Sequence, residues 1–284
     1  MPTLFLSLFS FLFVVAWKAQ GFHYNVFIRK TSLVKSYLQN TVLQLATSSE
    51  ILAQPSEVAT LEATFGPKFY EDCCINLNRA ILGHQEPLAW LARTAAASSA
   101  IHSPQSQRAS TVAKGCLMYL YKTGVGGVVR DDDIADQLGA EVYPGLVHIY
   151  NKQELTDQEN SLVSWLLGQC YLYGLGVKAT TNLGYEFLYQ AHDLAYNRFT
   201  LGSLGACAYH GLGCERNDTL AVKYFREAAE DFQYPVAMNS LGVCYKKGRG
   251  VGQSDLQAVR WYEKAAVRGF AEAMVNYGLC LKHG

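Results

Sequence analysis

The chain has 284 residues with 24 basic and 24 acidic side chains, so its formal net charge is zero and exerts no global pull on a nucleic-acid backbone. Hydrophobic residues make up 50% and charged residues 17%, which excludes a disordered chain. Seven prolines against 24 glycines favour short helices ended by glycine over a turn-rich sandwich.

Residues 4–17 (LFLSLFSFLFVVAW) are apolar except for Ser7 and Ser10. As a helix rising ~1.5 Å per residue they span ~21 Å, short of the ~30 Å hydrocarbon core of a bilayer. Three readings fit that length. One is a secretory signal cut after Ala16. Another is a thin membrane anchor built on Leu4, Phe5, Leu8, Phe11, Phe13 and Trp17. The last is a helix packed on the protein. A basic stretch before the apolar run, usual in a secretory signal, is missing. No Asp or Glu precedes Glu50, while Lys18, Arg29, Lys30 and Lys35 all follow the apolar run. Positive flanks stay on the cytoplasmic or matrix side, so an anchor would leave the main body in a reducing compartment. An acid-free, basic start also suits mitochondrial targeting. Residues 1–30 are taken as an anchor or targeting segment. Residues 31–110 form a helical region with one helix at 32–52 and a degenerate helix pair at 69–83 and 87–100. Within it, 102–110 (HSPQSQRAS) reads as a linker.

Residues 111–160 form a divergent unit, a first helix at 111–126 and a partner at 133–150, with an insertion beginning at Arg130. From 161 to 284 the chain repeats itself. Gly168, Gly205, Gly242 and Gly278 open the same pattern at spacings of 37, 37 and 36, and a cysteine follows each two residues later: Cys170, Cys207, Cys244, Cys280. A G-x-G comes six residues after the glycine in the three full copies (Gly174/Gly176, Gly211/Gly213, Gly248/Gly250). A second segment follows with Ala258, Trp261, Tyr262, Ala265 and Ala266 on one helical face; Ala221, Tyr224, Phe225, Ala228 and Ala229 repeat that face one unit earlier. Asp218 and Ser254 or Asp255 stand where helix N-caps belong. Each unit is thus an antiparallel helix pair, the G-x-G making the turn. Stacked pairs form an all-α superhelical solenoid.

This pattern closely resembles the Sel1-like repeat, a relative of the tetratricopeptide repeat. Its form is roughly A-x-x-x-L-G-x-x-Y-x-x-G-x-G-V followed by D-x-x-x-A-x-x-W-Y-x-K-A-A-x-x-G. Ala237, Leu241, Gly242, Tyr245, Gly248, Gly250, Val251, Asp255, Ala258, Trp261, Tyr262, Lys264, Ala265, Ala266 and Gly269 match it. The resemblance implies an adaptor in assembly, quality control or signalling. Some secreted members of the family carry two bridged cysteines per repeat; the second position is absent here.

Enzyme chemistry finds no support in the residues. The G-x-G turns follow helices rather than strands, so they are turns and not phosphate loops. The seven histidines form no H-E-x-x-H, no C-x-x-C is present, and no Ser-His-Asp set emerges. Neither a metal nor a cofactor is expected. Cys73 and Cys74 read as buried thiols, with a redox or metal role as the minor alternative. Asn217-Asp218-Thr219 is a formal glycosylation sequon already explained by the repeat.

The expected function is a non-enzymatic scaffold holding a multi-subunit membrane complex. A mitochondrial inner-membrane, respiratory-chain accessory subunit or assembly factor is favoured, and an ER-lumenal or secreted binding module is the alternative. Partner subunits would meet the concave face of the first helices. Tyr171 and Tyr245 are expected to pack between units. Tyr173 and Tyr209 are off the repeat's own tyrosine position and are the better partner contacts. The last helix keeps Met274, Tyr277 and Leu281 on a face expected to lie against another subunit or the N-terminal arm. Small-molecule substrate and nucleic acid are not expected.

Overall fold

The computed structural model describes residues 68–96, 104–126, 128–152 and 155–283. The expected anchor at 4–17 and the helix at 32–52 lie outside the described residues. Within them the chain is helical, with no strand. In order the helices are α1 (Phe69–Ile81), α2 (Gln85–Ala96), α3 (Pro104–Thr123), α4 (Asp132–Asn151), α5 (Asp157–Tyr173), α6 (Thr181–Leu194), α7 (Arg198–His210), α8 (Asp218–Asp231), α9 (Pro235–Lys247), α10 (Asp255–Val267) and α11 (Ala271–His283). No helix among the described residues is long and apolar enough to cross a membrane.

Neighbours pair as hairpins: α1 with α2, α3 with α4, α5 with α6, α7 with α8 and α9 with α10, and α11 packs on α10. The repeat chemistry explains the ends. Gly174, Gly211 and Gly248 take φ of 75°, 73° and 64°, a left-handed conformation that costs glycine nothing. Their amides donate to the carbonyls of Cys170, Cys207 and Cys244, one helical turn back. Starts are capped by polar side chains: Thr156 with Glu159 in a reciprocal box on α5, Asn197 on α7, Ser254 on α10. The cap of α8 is Asn217, whose side chain accepts from the Leu220 amide. Asp218, expected as that cap, is instead the first helical residue, which frees its carboxylate for other work.

The stretch expected as a linker, 102–110, is corrected by the structure. From Pro104 onward it is the start of α3, so a boundary at 110/111 falls inside a helix. The serines misled because polarity was read as exposure. Ser106 and Ser110 are buried, and the Ser110 hydroxyl donates to the Ala95 carbonyl at 2.6 Å. A small hydroxyl satisfied by backbone sits comfortably in a helix interface.

α1 packs on α3 and α5 as well as on α2, so it lies along the row of first helices. The turn after it reaches the far end of the array: a side chain at Gly269 would start 2.9 Å from the Leu82 carbonyl oxygen. Beneath runs an aromatic ladder, Tyr119 to Trp165 at 4.8 Å, Trp165 to Phe199 at 5.5 Å, and Phe199 to Tyr234 at 5.9 Å between ring centroids. All four rings are buried. Ser203 accepts from both Trp165 Nε1 and Gln169 Nε2, which satisfies the ladder's polar edge.

Candidate protein-interaction surface

The interior of each unit is made by one contact. The leading glycine of the first helix receives a large side chain from the second. A Cβ at Gly168 would lie 2.8 Å from Leu188, at Gly205 2.6 Å from the Phe225 ring, and at Gly242 2.5 Å from the Tyr262 ring. Small residues flank each of those side chains, so the two backbones come close: Gly184 and Ala191 around Leu188, Ala221 and Ala228 around Phe225, Ala258 and Ala265 around Tyr262. The fourth copy differs. Among the described residues, none lies within 4 Å of a would-be Cβ at Gly278 of α11.

Other positions on α11 agree. Met274 is 49% exposed, whereas its counterparts Ser164, Leu201 and Met238 are 0–1% exposed. Tyr277 is half-buried where Leu167, Leu204 and Leu241 are buried, and Cys280 is half-buried where the other three repeat cysteines are buried. The Tyr277 hydroxyl donates to Glu263 at 3.3 Å. Leu281 is 58% exposed, and Val275 and Leu279 add to the same helix's apolar surface. Met274, Tyr277 and Leu281 therefore share one element, with no helix over its outer face among the described residues.

The two remaining candidates part company. Tyr173, at the end of α5, is 41% exposed. Tyr209 is 8% exposed, and the Arg249 guanidinium sits 3.4 Å above its ring, so it serves packing between units and offers no open face. Tyr171 and Tyr245 also make inter-element contacts. Tyr171 stacks on Phe187 at 5.4 Å and hydrogen-bonds the Tyr143 hydroxyl at 2.9 Å; Tyr245 accepts from Arg226. The expected open concave face is narrower than the repeat alone suggests, because α1 of the same chain lies on α3 and α5.

One structural device went unread in the sequence. Arg249, the middle residue of its G-x-G turn, reaches back one unit. It donates to Asp218 through Nε at 3.1 Å and to the Tyr209 carbonyl at 2.6 Å. Arg216 donates to the same carboxylate at 3.1 and 2.9 Å. These two guanidinium groups hold the Asp218 carboxyl far below the usual carboxylate range. The signal was available: the corresponding residues are Leu175 and Leu212, so an arginine there breaks the pattern.

All eight cysteines are free. Burial pushes the Cys170 and Cys207 thiols up to about 12 and Cys244 to about 11. Cys73 is raised well above the ordinary thiol value and Cys74 up to about 12, again by burial. No three His, Cys, Asp or Glu side chains gather into a metal-binding group among the described residues.

Hairpins of this size, joined by left-handed glycines and interlocked by a large side chain seated on a glycine, define an α/α repeat solenoid. The Sel1 repeat model matches residues 164–196, 201–231 and 235–270, which fall on the hairpins α5/α6, α7/α8 and α9/α10. The chain thus carries three Sel1 repeats, the modules of protein-interaction scaffolds. Among solved structures it is similar to a Sel1 repeat protein from Oxalobacter formigenes, at 22% identity over 65% of this chain and 69% of that one, with a TM-score of 0.40. It is also similar to a protective antigen of uropathogenic Escherichia coli strains that displays an SLR fold. That match has 19% identity over 80% of this chain and 52% of the other, with a TM-score of 0.40. No curated protein matches the chain.

Proposed function

We propose that the protein is a non-enzymatic scaffold that holds a multi-subunit membrane complex together. The observation that carries this reading is the apolar face of α11, where Met274, Val275, Leu279 and Leu281 are exposed together on one helix with no helix over them among the described residues. A patch of this kind on a repeat array is an association surface. The adjacent Cys73 and Cys74 fit structural thiols better than reactive ones: burial raises both above the ordinary thiol value, which disfavours the thiolate that thiol chemistry uses.

The membrane part of the reading rests on residues 4–17, and the mitochondrial inner membrane on the acid-free, basic start before Glu50. A respiratory-chain accessory subunit or assembly factor fits both. The secretory alternative rests on the sequon at Asn217, whose side chain is exposed, although it is engaged as the α8 cap. Carbonate extraction of isolated organelles, followed by gentle-detergent co-purification of the full chain, tests the proposal. Retention in the mitochondrial membrane pellet with a defined set of co-purifying subunits is the expected result. Full release from membranes, or a glycan on Asn217, contradicts the location; recovery of the chain alone contradicts the scaffold.

A further inference from the structure

The scaffold reading leaves open what α11 receives, and the repeat itself supplies the chemistry. Three times in this chain a first-helix glycine takes Leu188, Phe225 or Tyr262 from a second helix. Each of those side chains has Gly or Ala four residues before it and Ala three residues after it. Gly278 presents the same glycine with its space open. Charge marks the start of the helix as well. Lys246, four residues after Gly242, pairs at 2.9 Å with Asp255, the first residue of α10. Lys282 stands four residues after Gly278 and is exposed.

Resting on the scaffold reading, we infer that the outer face of α11 is a socket for one amphipathic helix from a partner subunit. That helix places Leu, Phe or Tyr on Gly278, Gly or Ala four residues before and Ala three after, and an acidic first-turn residue toward Lys282. The interface continues the one that α9 makes with α10 and has the same polarity of charge. The sequence of residues 1–67 does not carry this pattern. It contains no Gly or Ala followed four residues on by Leu, Phe or Tyr and then by Ala after three more.

The probe is a fluorescent peptide of residues 254–270, which already carries this pattern, titrated into the full chain in detergent. So short a helix is marginal alone in water, so weak but saturable binding is expected. Gly278→Leu fills the space the ring needs and is expected to weaken binding about tenfold or more. The thermal midpoint of that variant should hold or rise, because no described residue neighbours the position and glycine is a poor helix residue. Lys282→Glu should weaken binding without touching the fold, and a peptide with Tyr262→Ala should not bind. Absence of saturable binding up to millimolar peptide overturns the inference. So does equal binding to Gly278→Leu and wild type, and so does a clear loss of stability in Gly278→Leu. Because the probe contains no native partner, its failure leaves the scaffold reading standing. A chain that co-purifies alone from membranes but still binds the peptide keeps the socket and loses the scaffold.

Discussion

At Gly242 the Tyr262 ring occupies the space a methyl group would need, and Tyr262 is itself buried. Gly242→Ala gains ~1 kcal/mol of helix propensity but forces the ring to move, an overpacking cost of roughly 1–3 kcal/mol. A net loss of thermal stability is expected for Gly242→Ala, and a small gain for Gly278→Ala. Denaturant midpoints of the two variants check the opposite signs. Asp218 gives a pH signature. Its folded-state carboxyl lies below its unfolded value because Arg249 and Arg216 donate to it. The stability it contributes is therefore complete above the unfolded value near ~3.9 and is lost as pH falls through the lower folded value. Asp218→Asn should lower the melting temperature by a constant amount from neutral pH down to about 4, and the gap to wild type should then shrink with further acidification. A gap that widens below that point would contradict the clamp. The glycine of this pairing was legible because it recurs in register, and the side chain it meets stands at the same register position in each copy as Leu188, Phe225 or Tyr262. Arg249 was not, because pattern matching recognises what repeats, and this side chain works by departing from the repeat.

Helices were read best where their ends carry chemistry. The G-x-G turns and the capped start of α10 fall where the sequence puts them, because left-handed glycine and a capping hydroxyl are local requirements. The start of α3 was lost because Ser106 and Ser110 are buried through hydrogen bonds and packing that composition does not record. The placement of α1 on α3 and α5 is tertiary, and no local signal announces it. Cysteine exposure follows the helix stack and can be measured. Cys73, Cys116, Cys170, Cys207 and Cys244 are buried, while Cys74, Cys214 and Cys280 are partly open. Ellman's reagent on the native chain should modify Cys280 and Cys214 first, with the five buried thiols reacting only on unfolding. Rapid modification of Cys170, Cys207 or Cys244 in the native state would mean that the units are not interlocked.

Among the described residues the ladder rings Tyr119, Trp165, Phe199 and Tyr234 are buried, while α11 exposes Met274, Val275, Leu279 and Leu281 on one helix. The ladder from Tyr119 to Tyr234 and the clamp at Arg249 fix neighbouring units to each other, so the array presents the α11 face on a preorganised support. Partner identity was not legible in the sequence, since a repeat specifies how its own helices pack and says little about what an unpaired one meets. The direct measurement is site-specific photocrosslinking in cells, with a crosslinkable amino acid at Leu281 on α11 and, as control, at Leu183 on α6, which is also exposed. A single discrete partner captured from position 281 and absent from position 183 is the predicted result. No product from 281, or the same products from both positions, would contradict a scaffold that works through its α11 face.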